Sequence, residues 1–69
     1  MKRKTLKQLR EDKGLTQEQV AKSTDNTVTF ISLLENGKRN ASDETKKKLA
    51  KLYGCEVIDI FLALQLTDS

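Results

Sequence analysis

This chain contains no histidine, no proline and no tryptophan, and it has one cysteine among its 69 residues. No pair of metal-ligand residues stands at a recognisable spacing, no glycine-rich phosphate loop is present, and no nucleophile has a plausible base. The sequence therefore predicts a protein that is not an enzyme and that holds no metal and no cofactor.

Long apolar runs are also missing from the sequence. The longest one is too short to cross a bilayer, and no signal peptide is recognisable. The single cysteine, Cys55, cannot form an intramolecular disulfide, which fits a reducing compartment, and we interpret it as a core thiol. These features predict a cytoplasmic protein without membrane contact.

The length allows one domain, spanning residues 1–69. A domain of this size buries only about 60% of the surface that its unfolded chain exposes. Because dimerisation adds buried surface, we expect a homodimer.

Basic residues exceed acidic ones by 13 to 10, which gives a formal net charge of +3. The basic residues are concentrated in two blocks, which are either solvated helix faces or contacts to nucleic-acid phosphates. The blocks are Lys2, Arg3, Lys4, Lys7 and Arg10, and then Lys38, Arg39, Lys46, Lys47, Lys48 and Lys51.

The sequence pattern predicts five helices. Each of the three glycines follows a helical pattern, where a helix end favours a left-handed residue. The last helix is ambiguous from propensity alone, because its residues are also strand formers. The first predicted helix ends at residue 13. The other four span about 17–24, 28–36, 43–53 and 57–65.

Residues 15–39 form the most informative stretch, because they predict two short helices joined by a tight polar turn. Thr16 can cap the first helix, with Gln19 in capping-box position. Thr27 can cap the second helix, and Gly37 can close it. This geometry presents one helix to the major groove of DNA.

The same stretch resembles the lambda-repressor and Cro-like (XRE-type) helix-turn-helix proteins, and the likeness extends from about residue 6 to residue 61. The resemblance implies an all-α, five-helix lambda-repressor-like domain with a helix-turn-helix, and it favours a helix over 57–65. The residues that carry it are Leu15-Thr16-Gln17-Glu18, Val20-Ala21, Ile31-Ser32 and Glu35-Asn36-Gly37-Lys38-Arg39.

The predicted recognition helix, about 28–36, has an inward face and an outward face. Helical periodicity places Ile31, Leu34 and Glu35 inward. The resemblance implies that the outward residues contact base edges, where the family usually carries Gln, Arg, Ser or Asn. The predicted base-contacting residues here are Val28, Thr29, Ser32 and Leu33, and Thr27, the cap of the helix, is also predicted to bind DNA.

This outward strip is partly apolar, which leaves two interpretations. Val28 or Leu33 could contact thymine methyl groups in DNA. Alternatively, the strip binds a protein partner, as in an antirepressor-like or antitoxin-like helix-turn-helix.

The resemblance also implies phosphate contacts around the recognition helix. Gln17 stands at the start of helix two, and Asn36, Lys38 and Arg39 follow helix three. Such contacts set affinity and register without reading sequence.

Several residues depart from the family pattern. Thr24, Asp25 and Asn26 occupy the turn, where the family commonly has an apolar residue, glycine and another apolar residue. Asp and Asn tolerate the left-handed conformation, so the turn remains feasible, but two core side chains are lost. Phe30 replaces a small polar residue, and we expect it to pack into the core towards helix four.

Two structural roles complete the predictions. The resemblance implies an ion pair between Arg10 and Glu35 that fixes the angle of helix three. On helix five, Val57, Phe61 and Leu64 are expected to face inward. The residues left for a dimer interface are Ile58, Leu62 and Leu66.

Together these features predict a sequence-specific, DNA-binding transcriptional regulator of phage or bacterial type, and we expect it to act as a repressor. Its predicted partner is double-stranded DNA with two half-sites, whose centres lie about 34 Å apart.

Overall fold

The computed structural model of the chain describes residues 4–65, which form five α-helices and no strand. The predicted all-α, five-helix fold is confirmed, including the last helix. No helix in the described range is long and apolar enough to cross a membrane. The helices are α1 (Leu6–Asp12), α2 (Gln17–Ser23), α3 (Val28–Glu35), α4 (Asp43–Tyr53) and α5 (Val57–Gln65).

Hydroxyl side chains begin four of these helices. Each cap accepts a hydrogen bond from the backbone N–H three residues further on, at 3.1 to 3.2 Å. A cap of this kind stabilises a helix by about 1 kcal/mol. Thr5 and Thr16 form full capping boxes with glutamine partners. The caps are Thr5, Thr16, Thr27 and Ser42.

The first four helices end in the same way, with a left-handed residue just past the helix. Three of these residues are the predicted glycines, and the fourth is Asp25, with φ 57°. After α3, Gly37 N–H donates to the Leu34 carbonyl at 3.2 Å and Lys38 N–H donates to the Leu33 carbonyl at 2.9 Å. This pair of bonds is the Schellman motif, and it fixes where the chain leaves each helix.

All five helices contribute to one hydrophobic core. Helix α2 packs on α3, α4 packs on α5, and α1 contacts both α3 and α5. The largest side chains that are almost fully buried are Leu6, Val20, Ile31, Leu34, Leu49 and Ile60.

The inward face of α5 was predicted wrongly. Val57 and Phe61, expected to face inward, are 40% and 42% exposed, whereas Ile60 and Ala63 are buried. Leu64 does pack against the core, as expected. The error has a physical cause: α5 is apolar around most of its circumference, so hydrophobicity alone does not select one side.

Candidate nucleic-acid interface

The second helix of the helix-turn-helix, α3, has one buried side. Ile31 and Leu34 are 2% and 1% exposed, and the Glu35 side chain is 5% exposed. This is the inward set that helical periodicity predicted. The opposite side of α3, which begins with the exposed residues Val28 and Thr29, is the side that can face a partner.

Glu35 anchors the end of α3 to α1. Arg10 Nε donates to Glu35 Oε2 at 2.7 Å, and Arg10 Nη2 approaches Glu35 Oε1 at 3.3 Å. The third guanidinium nitrogen, Nη1, donates to the Leu15 carbonyl at 2.9 Å. Since the Arg10 side chain is only 11% exposed, the pair is largely withdrawn from water.

The charge on Arg10 is secure at any working pH. Its hydrogen bond to Glu35 raises the pKa of the guanidinium, against the opposing effect of burial. Tyr53 is buried in the core, and burial raises the pKa of its phenol. The pKa values of Arg10 and Tyr53 are therefore both raised from values that already lie well above neutrality.

Gln17 joins the same network. Its Nε2 donates to Glu35 Oε1 at 3.0 Å, so part of its amide is already used inside the protein. One amide hydrogen remains for an external acceptor. The position at the start of α2 agrees with the expected phosphate contact, although the side chain is only half-exposed.

The outward side of α3 carries the predicted contact residues. Val28 is 41% exposed, Thr29 is exposed, and Ser32 and Leu33 are half-buried. Thr27 is exposed and uses its oxygen to cap α3 at Phe30 N–H. The structure thus places these five side chains at one end and one side of α3.

The residues that follow α3 differ in whether their polar groups already bond within the protein. Asn36 Nδ2 donates to the Ser32 carbonyl at 2.9 Å and approaches Ser32 Oγ at 3.4 Å, so its amide closes the helix. Lys38 and Arg39 are both exposed. The Arg39 guanidinium lies 5.6 Å from the centre of the Phe30 ring, a cation–π contact.

Phe30 itself is half-buried and packs against the core. This agrees with a core role and not with base stacking. Its outer face supports Arg39, a contact that the spacing of the two residues in the sequence does not suggest.

The polar turn between α2 and α3 is satisfied internally. Thr24 is only 3% exposed, and its hydroxyl donates to the Val20 carbonyl at 2.8 Å. Asn26 Nδ2 donates to the Thr24 carbonyl at 2.9 Å and to Thr24 Oγ1 at 3.0 Å. We expected the polar turn to leave the core without two of its side chains. This was wrong for Thr24, whose side chain is buried with its hydroxyl bonded.

The basic residues of the two blocks differ in their contacts. Lys46 lies 5.2 Å from the centre of the Phe61 ring and 4.0 Å from Asp43, so its charge is used between α4 and α5. Lys4 forms an exposed ion pair with Asp12. Lys7, Lys47, Lys48 and Lys51 are exposed. Lys2 and Arg3 lie outside the described residues.

The predicted dimer residues are not equivalent. Among the described residues, Ile58 is the most exposed large apolar side chain, at 56%, and Leu62 is half-buried. Leu66 lies outside the described residues. The exposed apolar surface of α5 consists of Val57, Ile58 and Phe61, and we call it the α5 patch.

Sequence reasoning missed three contacts that shape the site: Gln17 with Glu35, Arg10 with the Leu15 carbonyl, and Arg39 with Phe30. No local signal marks them, because each joins residues whose proximity depends on tertiary packing or on a loop. Within residues 4–65, no cluster of His, Cys, Asp and Glu has the composition and spacing to hold a metal ion.

Comparison with known proteins agrees with this architecture. The helix-turn-helix family matches residues 6–60. The chain therefore belongs to the XRE-type helix-turn-helix family, as the resemblance predicted.

Three curated relatives are similar over most of the chain. The transcriptional regulator DdrOP3 of Deinococcus deserti is 38% identical over 55 residues, covering 80% of this chain and 43% of the relative. The competence pilus inhibition repressor of Acinetobacter baylyi is 38% identical over 61 residues, covering 88% and 56%. The uncharacterised regulator YqaF of Bacillus subtilis is 41% identical over 54 residues, covering 78% and 71%. The chain thus spans about half the length of the first two.

Proposed function

We propose that this protein is a sequence-specific DNA-binding transcriptional regulator that inserts α3 into the major groove. The observation that carries the proposal is the exposed side of α3. The buried side of that helix is held by Ile31, Leu34 and the Arg10–Glu35 pair, so the exposed side has a defined orientation. Family membership and the regulators among the relatives support DNA as its target over a protein partner.

In this proposal the contacts divide into two kinds. Thr27, Val28, Thr29, Ser32 and Leu33 face the base edges. Lys38, Arg39 and one amide hydrogen of Gln17 contact phosphates. Asn36 Nδ2 already bonds to the Ser32 carbonyl at 2.9 Å and approaches Ser32 Oγ at 3.4 Å, so a phosphate would compete with the longer of these contacts and we assign Asn36 a secondary role.

The protein acts as a homodimer in the cytoplasm in this account, without enzymatic activity. The α5 patch supports dimerisation, because three large exposed apolar residues on one short helix are an unfavourable surface for a monomer. A two-fold dimer would place its recognition helices about 34 Å apart, in successive major grooves of an operator with two half-sites. One relative is named a repressor, which supports repression as the sense of regulation.

Fluorescence anisotropy tests the proposal. A preferred duplex is selected from a randomised library, and its affinity is compared with that of a random duplex at two salt concentrations. A specific regulator binds the preferred duplex at least about a thousandfold more tightly at physiological salt. Equal affinity for both duplexes, or none for either, contradicts the proposal.

A further inference from the structure

We infer that the outward side of α3 reads the 5-methyl groups of thymine, so that the operator half-site contains adjacent T·A pairs under this helix. The inference rests on the proposed function and adds the chemical class of base that is read. It follows from which side chains α3 exposes and which groups are already bonded within the protein.

Guanine is best recognised by an arginine or lysine that bonds to its O6 and N7 atoms. The outward side of α3 has neither residue. The nearest basic residues in sequence are Lys38 and Arg39, which follow the helix, and the Arg39 guanidinium lies over the Phe30 ring. The outward side of α3 therefore lacks the arginine or lysine that best discriminates guanine.

Adenine and cytosine lack suitable partners on α3 for related reasons. Adenine calls for an asparagine or glutamine amide that faces the base, and the outward side of α3 has neither residue. Asn36 follows the helix and bonds to the Ser32 carbonyl, and Gln17 lies on α2, where its amide bonds to Glu35 and keeps one hydrogen for a phosphate. Cytosine calls for a carboxylate, and Glu35 is buried against Arg10. The hydroxyls of Thr29 and Ser32 both donate and accept, so they do not separate these bases alone.

Thymine is the base that fits what remains. Val28 is 41% exposed, and Thr29 and Leu33 add further methyl groups on the same side. Apolar side chains contact the thymine methyl in the major groove, and a hydroxyl can donate to thymine O4. From Val28 to Leu33 the helix rises about 7.5 Å, or about two base-pair steps of 3.4 Å. The strip thus covers two to three adjacent base pairs.

The test removes one methyl group at a time from the DNA. In the selected duplex, each thymine is replaced by deoxyuridine, which keeps every hydrogen-bonding group. We expect about a fourfold loss of affinity at two or three adjacent thymines, the value for one buried methyl-sized group. Replacement of thymines outside the half-sites is the internal control and leaves affinity unchanged.

Variants at Thr29 provide a matched pair. Thr29→Ser keeps the hydroxyl and removes the methyl, whereas Thr29→Val keeps a methyl and removes the hydroxyl. The serine variant should lose the thymine-over-uracil preference at one base pair, and the valine variant should retain it. Circular dichroism of both variants establishes that they are folded.

The outcomes separate the two claims. A selected site that tolerates deoxyuridine throughout, while still binding far above random DNA, overturns the methyl-reading inference and leaves the proposed function standing. A protein with no preferred duplex overturns both. A fourfold loss confined to adjacent thymines, and abolished at one of them by Thr29→Ser, supports the inference.

Discussion

Removal of the Glu35 carboxylate should destabilise this protein more than removal of an exposed charge. Glu35 accepts hydrogen bonds from Arg10 Nε, Arg10 Nη2 and Gln17 Nε2. In Glu35→Ala the guanidinium keeps its bond to the Leu15 carbonyl but loses its counter-ion while still largely buried. Stranding a buried charge in this way costs about 3–5 kcal/mol.

That cost is large for a chain of 69 residues. At about 0.05–0.15 kcal/mol per residue, its free energy of unfolding is about 3–10 kcal/mol. Glu35→Ala should therefore lower the melting temperature by at least about 12 °C, or unfold the protein. Glu35→Gln keeps one acceptor oxygen, so it is the milder variant to measure if Glu35→Ala does not fold.

Urea denaturation of a double-mutant cycle is the assay. Arg10→Ala together with Glu35→Ala should cost less than the sum of the single changes, by about 1–3 kcal/mol. The Lys4–Asp12 pair is the matched control, because its side chains are 58% and 49% exposed. Its coupling should stay below about 1 kcal/mol. Equal coupling in the two cycles would refute the claim that burial makes the Arg10–Glu35 pair structural.

Three further changes test separate parts of the account. Asp25→Gly should raise the free energy of unfolding by about 1 kcal/mol, because Asp25 has φ 57°, and a loss of stability would contradict this. Ile58→Glu should convert a dimer to a folded monomer in sedimentation, while Val28→Glu on α3 leaves it dimeric; a wild-type monomer at high micromolar concentration defeats the dimer claim. In Tyr53→Phe the free energy of unfolding should fall less steeply above pH 10 than in the wild type. Burial raises the pKa of the folded phenol above the unfolded value of 10.0, so above pH 10 only the unfolded phenol loses its proton, and this favours unfolding of the wild type. Urea denaturation at pH 9 and 11 measures this, and equal slopes in both proteins would exclude a role for Tyr53.

The helix-turn-helix could be predicted from sequence because its signals are local. Thr16, Thr27 and Gly37 mark helix ends through backbone chemistry that depends on only a few neighbouring residues. The inward face of α3 was predicted correctly, since Ile31 and Leu34 are separated by about one helical turn and lie on the same side of the helix. Local consistency of this kind makes a short motif recognisable.

The α5 helix shows where sequence reasoning fails. Its side chains are apolar in nearly every direction, so tertiary packing alone decides that Ile60 and Ala63 face inward. The contacts of Gln17 and Arg39 could not be predicted from sequence either, because each side chain could point to solvent or to a neighbouring residue. The structure assigns one to Glu35 and the other to Phe30.

Anisotropy titrations of Lys38→Ala and Leu33→Ala test the central claim, that α3 reads DNA, most directly. We expect Lys38→Ala to weaken binding equally on the selected and the random duplex, and to reduce the slope of log affinity against log salt concentration by about 0.9. Leu33→Ala should weaken only the selected duplex, by about 1–3 kcal/mol. If folded Leu33→Ala binds both duplexes as tightly as the wild type, α3 does not read the bases and the account is contradicted.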